Sequence, residues 1–494
     1  MTNYVCEDDV LYKAKEAIKK PFKEIDKTNR LKNKKGGAGQ MMEENHFGLE
    51  VNNRPEPDFK EAGIELKVTP FYRRTDKNNK VYYRAKERLV LNIINYMTEE
   101  LVDFKQSSFW KKNEKILMMF YEYKNEIDIL DMFIDDLILF SWPEEDLPIV
   151  INDWLTIVGK IKDGKAHELS ESDTMYLSAC TKGSTAEKSL REQRFSPIKA
   201  KQRAYSLKPS YMSYILNNYV YGDKVDKNIT KSFSYGLVHS KKVEKLVDLT
   251  NYTEAFSVQD FIKKNVEPYI GKTQKELVSE LNVKASKNAK SINASIINNI
   301  FKLSGDIKNT EEFQKACVIP KTIRIESNGK MKEDMSFETF EFKTLVTQGW
   351  EDSNFYELLS NATFMFAIFK KIDDKDENAV FDGIKFWSMP NEDLLIVEDY
   401  WNKVKEIIVN GVEFKINSNG TIANNFPKKN TNEITHVRPH ASKSAYRFDG
   451  YIRGNLKDAY ELPEGRWMTK QCFWLNKEYI KKVVLGDDSD ERVE

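Results

Sequence analysis

The run Gly63-Ile64-Glu65-Leu66-Lys67-Val68-Thr69-Pro70 is where side-chain types and spacing point most directly to chemistry. It alternates strictly, so Ile64, Leu66 and Val68 face one side of a strand while Glu65, Lys67 and Thr69 face the other. A carboxylate and an ammonium are therefore neighbours on one face. Asp58 follows Pro57 in a bend just ahead of that strand. Two converging carboxylates form a hard oxygen site suited to Mg2+. A lysine beside them can hold and help deprotonate the attacking water of a phosphodiester hydrolysis. The same spacing also fits a plain Glu–Lys pair on an exposed strand face. Upstream, Lys35-Gly36-Gly37-Ala38-Gly39-Gln40-Met41-Met42-Glu43 reads as a Gly-rich turn feeding a helix, a place for backbone N–H groups to cradle a phosphate. No Gly-Lys-Ser/Thr follows, so it is not a nucleotide-binding P-loop. Its contribution is Glu43, a further carboxylate for the same site.

The elements that must position these groups can be read from periodicity. Leu11–Ile25 predicts an amphipathic helix, followed by a basic turn from Lys27 to Lys35, and Gln40–Phe47 predicts a second helix. Ile64–Thr69, Leu89–Asn95 and Ile116–Tyr123 have β-branched or alternating character, and Val150–Lys162 is helical again. The expected class is α/β, an α+β mixed sheet flanked by helices.

The chain also repeats itself. Phe140–Gly164 aligns with Trp387–Gly411 at a constant offset, with identities at Pro143/Pro390, Asp146/Asp393, Trp154/Trp401 and Gly164/Gly411 among others. A domain-sized period predicts one fold used twice. The expected organisation is a first domain over 1–222, a Lys-, Ser- and Asn-rich linker over 223–256, and a second domain over 257–494, with Ser257 as a helix N-cap.

Composition excludes several classes. No stretch approaches the ~18 apolar residues of a membrane span, and the polar start lacks a signal-peptide layout. Cys6, Cys180, Cys317 and Cys472 are scattered, which predicts neither a zinc site nor a disulfide framework and fits a reduced, cytoplasmic protein. The balance of 77 basic against 77 acidic residues averages over local contrasts. Lys27, Arg30, Lys32, Lys34 and Lys35 form one acid-free basic run, and Lys199, Lys201, Arg203 and Lys208 form another. His46 and His167 have no ligand pattern and read as structural, whereas His436 and His440 flank Arg438 and suit phosphate contacts.

The run GQMMEENHFG…PDFKEAGIELKVTPF resembles the core of the MutH superfamily of Mg2+-dependent nucleases with a PD-(D/E)xK-type site. The segments KERLVLNIINY (Lys86–Tyr96), GKAHELSE (Gly164–Glu171), CTKG (Cys180–Gly183), IKAKQRAYSLK (Ile198–Lys208), HVRPH (His436–His440) and WMTKQCFWLN (Trp467–Asn476) are similar to type II restriction endonucleases of that superfamily. The resemblance implies two tandem domains of this fold and cleavage of both DNA strands at GATC, before the G. It implies Glu43, Asp58, Glu65 and Lys67 as the catalytic set, with Glu43, Asp58 and Glu65 holding the metal. The family's DNA-reading positions fall on Lys182, Arg203, Ser206 and Lys208 in the first half, although the family Arg-Pro is absent and serine replaces its tyrosine. In the second half they fall on Arg438, His440 and Trp474.

That half has lost the chemistry. Ile319 stands for Glu65, Pro320 is expected to interrupt the strand, Lys321 survives, and Asn298 takes the place of Glu43. A binding or regulatory role follows, and it agrees with the type IIE behaviour that the resemblance implies, in which a second bound GATC site promotes cleavage at the first. Implied partners are double-stranded DNA containing GATC, a second DNA site in the C-terminal domain, self-association on DNA and a cognate methyltransferase without a stable complex; no membrane is involved. Two rival readings are a MutH-type strand-nicking repair endonuclease and a DNA-binding protein without catalysis.

Overall fold

The computed structural model describes residues 4–32, 37–52, 54–75, 79–124, 126–182, 189–222, 243–284 and 289–486. The chain divides into two compact units: Met1–Phe261 with Leu303–Cys317, and Ile262–Lys302 with Val318–Glu494. Most of the expected linker, and Lys34, Lys35 and Gly183, lie outside the described residues.

The first unit opens with helices α1 (Glu7–Lys15), α2 (Phe22–Ile25) and α3 (Gly37–Met41), the last running into a π-type turn, Met42–His46. The expected helix over Leu11–Ile25 is broken. Lys19 adopts a left-handed φ of 62°, its N–H donates to Ile134 O at 2.9 Å, and Pro21 bridges Phe133. Tertiary pairing outcompetes local periodicity there. Of the glycines expected in a phosphate-cradling turn, Gly37 and Gly39 lie in α3 instead and Gly36 lies outside the described residues; a Cβ on Gly37 would meet Arg30 O at 2.7 Å. Glycine is needed for that close approach.

Strands β1 (Glu65–Thr75), β2 (Val81–Ala85) and β3 (Leu89–Ile93) precede helix α4 (Ser108–Asn113), which leads into β4 (Lys115–Glu122) and β5 (Asp136–Ser141). The main sheet has the order β2-β1-β4-β5, with β1 parallel to β4 and the outer pairs antiparallel. Helix α5 (Leu147–Lys162) follows. A second sheet, β3-β9-β6, joins β3 to β6 (Leu177–Thr181) and β9 (Arg203–Leu207), with the hairpin β7 (Leu190–Gln193) and β8 (Ser196–Lys201) between them in sequence. Helix α6 (Pro209–Ile215) closes the run.

The apolar side of β1 anchors the core: Ile64 and Leu66 pack with Leu117, Met119, Leu137, Leu139, Phe22 and Phe59. A one-residue slip would turn Glu65 and Lys67 into that core and expel Leu66, so burial fixes the register that the site needs.

Helix α7 (Val258–Val266) crosses the joint, and Ser257 Oγ accepts from Asp260 N at 3.2 Å. Helices α8 (Gln274–Glu280) and α9 (Ala289–Ile300) belong to the second unit, while α10 (Glu311–Ala316) packs within the first. Beyond it, β10 (Val318–Ile325), β11 (Met335–Phe340), α11 (Phe342–Thr347), α12 (Asn354–Asn361), β12 (Thr363–Lys370), β13 (Val380–Trp387) and α13 (Asn391–Asn410) run in the same order as β1, β3, α4, β4, β5 and α5, with α11 added. The sheet β10-β12-β13 pairs β10 parallel to β12 and β12 antiparallel to β13, as in the first unit. Pro320 does not interrupt β10, which is an edge strand and runs through it opposite Met365. An edge tolerates the missing donor.

The hairpin β14 (Phe414–Ile416) and β15 (Ile422–Asn424) precedes β16 (Thr435–Pro439). Strands β17 (Tyr446–Phe448), β18 (Tyr451–Arg453), β19 (Ala459–Glu461) and β20 (Trp467–Thr469) form their own sheet, ordered β18-β17-β20-β19. Strand β21 (Gln471–Leu475) lies between β11 and β16, and α14 (Lys477–Leu485) follows. Among the described residues no helix is long and apolar enough to cross a membrane.

Candidate active site

The loop before β1 folds back on itself through reciprocal bonds between Phe59 and Ile64, with N···O distances of 2.9 and 3.2 Å. Gly63 makes the return at a φ of 66°, a conformation that glycine adopts without steric cost. Asp58 is thereby set against the start of the strand. Its N–H donates to Glu65 Oε2 at 3.2 Å, and its Oδ2 accepts from Leu66 N at 3.0 Å.

Glu65 is 2% exposed and receives two ammonium groups on one oxygen. Lys67 Nζ donates to Glu65 Oε1 at 2.7 Å and reaches Leu91 O at 3.5 Å. Lys112 Nζ lies 3.6 Å from the same Oε1 and donates to Arg54 O at 2.9 Å. Burial raises the Glu65 pKa against the opposing pull of Lys67. Glu43 is half-buried on the π-type turn, and its pKa is pushed up to about 7, first by burial and then by the Asp58 carboxylate. Sequence reasoning thus named four groups that come together here: Glu43, Asp58, Glu65 and Lys67.

It missed Lys112, on the last turn of α4 far along the chain. Parallel pairing of β4 with β1, Glu65 opposite Ile116, brings the end of α4 to the site. The internal repeat held the signal. Ser107 and Ser353 cap α4 and α12 in the same way, accepting from Trp110 N and Tyr356 N, each at 3.1 Å. Counted from these caps, Leu358 stands where the first unit has Lys112.

Among the described residues no three His, Cys, Asp or Glu side chains stand close enough together to hold a metal ion as placed. The chemistry of the donor set nevertheless suits a hard divalent cation, since all three acids offer carboxylate oxygens. Burial is the main cause of the raised pKa values of Glu43 and Glu65, with the neighbouring carboxylates adding to it and Lys67 and Lys112 opposing it.

The expected DNA-reading positions divide. Lys182 is half-buried, with its N–H donating to Gln202 O at 2.8 Å. Three others require correction, because each is inside the protein. Arg203 is 5% exposed and gives Nη1 to Ala179 O at 2.6 Å, Ser206 is fully buried with its Oγ 2.9 Å from Ser178 Oγ, and Lys208 gives Nζ to Thr174 O at 2.7 Å. Burial lowers the pKa of both Arg203 and Lys208. Their polar atoms are engaged by the fold and are not presented to a duplex.

In the second unit, β16 and β21 bring the three named residues together. Trp474 pairs with His436 and Cys472 with Arg438, so the Arg438 guanidinium lies 3.7 Å from the centre of the Trp474 ring. The His440 ring is 5.2 Å from Trp474, and its Nδ1 is 3.2 Å from Cys472 Sγ. Asp334, 6% exposed, anchors the cluster through Arg438 Nη1 at 3.0 Å and Lys429 Nζ at 2.7 Å. Strand register sets Cys180 of the first unit opposite Ala204 where Arg438 faces Cys472, and Ser206 where Trp474 stands. The first unit therefore lacks this platform.

Residues 47–153, which include Asp58, Glu65, Lys67 and Lys112, match the family model of the DNA mismatch repair enzyme MutH. The DNA mismatch repair protein MutH of Vibrio vulnificus is 26% identical over 38% of this chain and 80% of its own length. That of Shewanella amazonensis is 30% identical over 28% of this chain and 58% of its own. The type II restriction enzyme Sau3AI of Staphylococcus aureus is 36% identical over 98% of this chain and 99% of its own length. Similarity along the whole chain, together with a MutH domain built around the Glu65–Lys67 strand, means that the protein belongs to the Sau3AI family of type II restriction enzymes in the MutH superfamily and is a site-specific deoxyribonuclease.

Proposed function

We propose that this enzyme cuts both strands of DNA at GATC, before the G, with Glu43, Asp58, Glu65, Lys67 and Lys112 as its catalytic groups. The observation that carries the reading is the Glu65 carboxylate, buried beside Asp58 and met by two lysines on one oxygen. Glu43, Asp58 and Glu65 would hold Mg2+, which when bound supplies Lewis acidity at the scissile phosphate. Lys67, tethered to Glu65 and the Leu91 carbonyl, orients the attacking water in line with the leaving oxygen. Lys112 adds a second fixed positive charge where negative charge builds on the phosphate, and a preorganised charge in a partly dehydrated site needs no rearrangement during reaction. The P–O bond to the leaving 3′ oxygen breaks as the bond from the water oxygen to phosphorus forms; the water gives up a proton to solvent and the 3′ oxygen takes one from it, giving a 5′-phosphate and a 3′-hydroxyl.

The first half, 1–222, would be the catalytic copy of a tandem fold, and 257–494 a copy that binds a second GATC duplex and promotes cleavage at the first. What supports this is Ile319 in place of Glu65, Leu358 in place of Lys112, and the Arg438–Trp474–His440 platform in the second unit. The GATC assignment rests on the resemblance of segments 164–171, 180–183, 198–208 and 436–440. Digestion of DNA of known sequence with Mg2+, with cut ends mapped on adenine-methylated and unmethylated templates, tests it. Ends at sites other than GATC would overturn the specificity, and nicked plasmid without linear product would overturn the double-strand reading.

A further inference from the structure

Helix α4 carries Lys112 and strand β3 carries Leu91, whose carbonyl receives Lys67. One side chain ties the two elements together. Asn92 Nδ2 donates to Ser108 Oγ at 3.0 Å at the head of α4, and Asn92 Oδ1 accepts from Asn113 Nδ2 at 3.0 Å at its end. Behind it, Ser108 Oγ donates to Glu99 Oε2 at 3.1 Å. Glu99 Oε1 accepts from Tyr205 OH at 3.1 Å and Trp154 Nε1 at 3.4 Å, so this 3% exposed carboxylate is satisfied by three separate elements. Asn113 in turn donates to Phe109 O at 2.8 Å, and its own carbonyl accepts from Trp142 Nε1 at 2.7 Å. Apart from the Asn113–Phe109 bond within α4, these links join β3 to α4 or fasten that pair to the core.

We propose that Asn92, backed by Glu99 through Ser108, is a positioning clamp for the nuclease site, holding α4 against β3 so that Lys112 and Lys67 meet the same Glu65 oxygen. The inference rests on the reading of Glu65 and its lysines as the catalytic centre.

The second unit supplies an internal control. Strands β3 and β11 keep the same register against their partners and the same irregularity: Leu89 faces Leu207, Met335 faces Leu475, and pairing resumes at Ile93 and Thr339. Onward to the serine caps the two halves align without a gap. Glu338 then stands for Asn92, Leu345 for Glu99, Asn354 for Ser108 and Leu359 for Asn113. The clamp has gone together with the groups it would serve, since Ile319 and Leu358 replace Glu65 and Lys112. The caps have not: Ser107 and Ser353 are buried in both units and also donate to carbonyls three residues back, at 2.6 and 2.7 Å. A pocket of about 930 Å3 is lined by the residues at these positions, Ile319, Glu338, Leu345, Asn354 and Leu358, among others. The helix forms in either case. What the polar network adds in the first unit is therefore the placement of α4, and with it Lys112.

Single-turnover cleavage of a GATC duplex by the full chain tests the clamp, with duplex binding followed separately by anisotropy without Mg2+. Displacing a charged group by about 1 Å costs on the order of 10- to 100-fold in rate, so Asn92→Leu and Ser108→Ala should lower the rate constant by that factor and leave duplex affinity within about twofold. Ser108→Thr, which keeps the hydroxyl, should restore the rate. In a Lys112→Ala background, Asn92→Leu should add less than about a twofold further loss, because the lysine it positions is gone. A wild-type rate in Asn92→Leu, equal rates in Ser108→Ala and Ser108→Thr, or fully multiplicative losses with Lys112→Ala would overturn the clamp while leaving the catalytic reading intact. Full activity in Lys112→Ala or Glu65→Ala would instead overturn the catalytic centre, and the clamp with it.

Discussion

Lys315 lies in the second half of the sequence but is buried in the first unit, and its replacement by methionine should measure how firmly α10 is held there. Its side chain is 1% exposed, and Nζ meets Asp146 Oδ1 at 2.8 Å, Asp146 Oδ2 at 2.7 Å and Glu311 Oε1 at 2.6 Å. It also lies 4.8 Å from the centre of the Tyr214 ring. Burial by itself would lower the Lys315 pKa, but Asp146 and the surrounding tyrosines and Glu311 raise it well above the usual value, so the ammonium stays charged. Without it, Asp146 keeps the Tyr211 hydroxyl, 2.5 Å away, as its one remaining side-chain partner among the described residues. Removing one member of a buried pair costs about 3–5 kcal/mol, because the other charge is stranded away from water. With a urea dependence of roughly 3 kcal/mol/M for a unit of this size, the unfolding midpoint of the first unit should fall by about 1–1.7 M. Urea titration read by hydrogen-exchange mass spectrometry follows peptides of α5 and α6 separately from those of α13. Adding Asp146→Leu should recover most of the loss, since an apolar pair of similar volume replaces the ion pair. A midpoint change below about 0.3 M, or a double variant no more stable than the single one, would refute the argument. The same reasoning governs truncation. A fragment ending near Phe256 lacks Lys315 and also Glu312, whose carboxylate accepts from Leu246 N at 2.8 Å and Val247 N at 3.2 Å. It should be destabilised at least as much as Lys315→Met.

Other outcomes follow from the same geometry. Lys67→Ala should lower single-turnover cleavage on the order of 10²-fold, the cost of losing the group that orients the attacking water, while gel-shift affinity for a GATC duplex is retained. Glu43, with its pKa pushed up to about 7, is protonated below neutrality, and a cation must displace that proton. The Mg2+ concentration for half-maximal cleavage should therefore rise at least ~10-fold from pH 8 to pH 6, and Glu43→Gln should remove that contribution from the profile. Arg438→Ala should weaken the second duplex-binding event by about 1–3 kcal/mol, measured by anisotropy on a Glu65→Ala background that cannot cut. An unchanged second event would remove Arg438 from the reading surface.

Much of this site was legible because its spacing is local. Alternation across Ile64–Thr69 separates core from chemistry within six residues, and the bend at Asp58 is seven residues from Glu65. What could not be read is set by distant partners. The basic run Lys199–Lys208 looks like a DNA-facing surface, yet all five positions of β9 are buried. Arg203 and Lys208 find their acceptors in Ala179 and Thr174, which only the β6–β9 pairing and the approach to β6 bring near. Lys112 was hidden for the same reason: helix α4 alone carries no mark that its last turn abuts another strand. The break in the first helix comes from bonds to Ile134 and Phe133, invisible in the hydrophobic period of Leu11–Ile25.

The two units together explain why the buried charges of the first are kept. A carboxylate in the interior, such as Glu99 or Glu65, is costly unless every oxygen is satisfied, and an apolar replacement of similar volume is often as stable or more so. The second unit has taken that route, with leucine for Glu99 and Lys112 and isoleucine for Glu65, around a strand pairing that is otherwise the same. Folding alone therefore does not require the polar set, because the β10–β12 sheet forms without it. Their retention in the first unit is best explained by what they do at the site, where stability is commonly exchanged for function. The converse holds for β16 and β21. There the second unit keeps Arg438 stacked on Trp474 over the buried Asp334, while the first has Cys180 and Ser206 sealed within its sheet. Small or apolar residues fill the matching places at Ile319, Leu345, Leu358 and Leu359 in the second unit and at Cys180 and Ser206 in the first. The proposed division of labour, cleavage in one unit and recognition in the other, would account for both patterns.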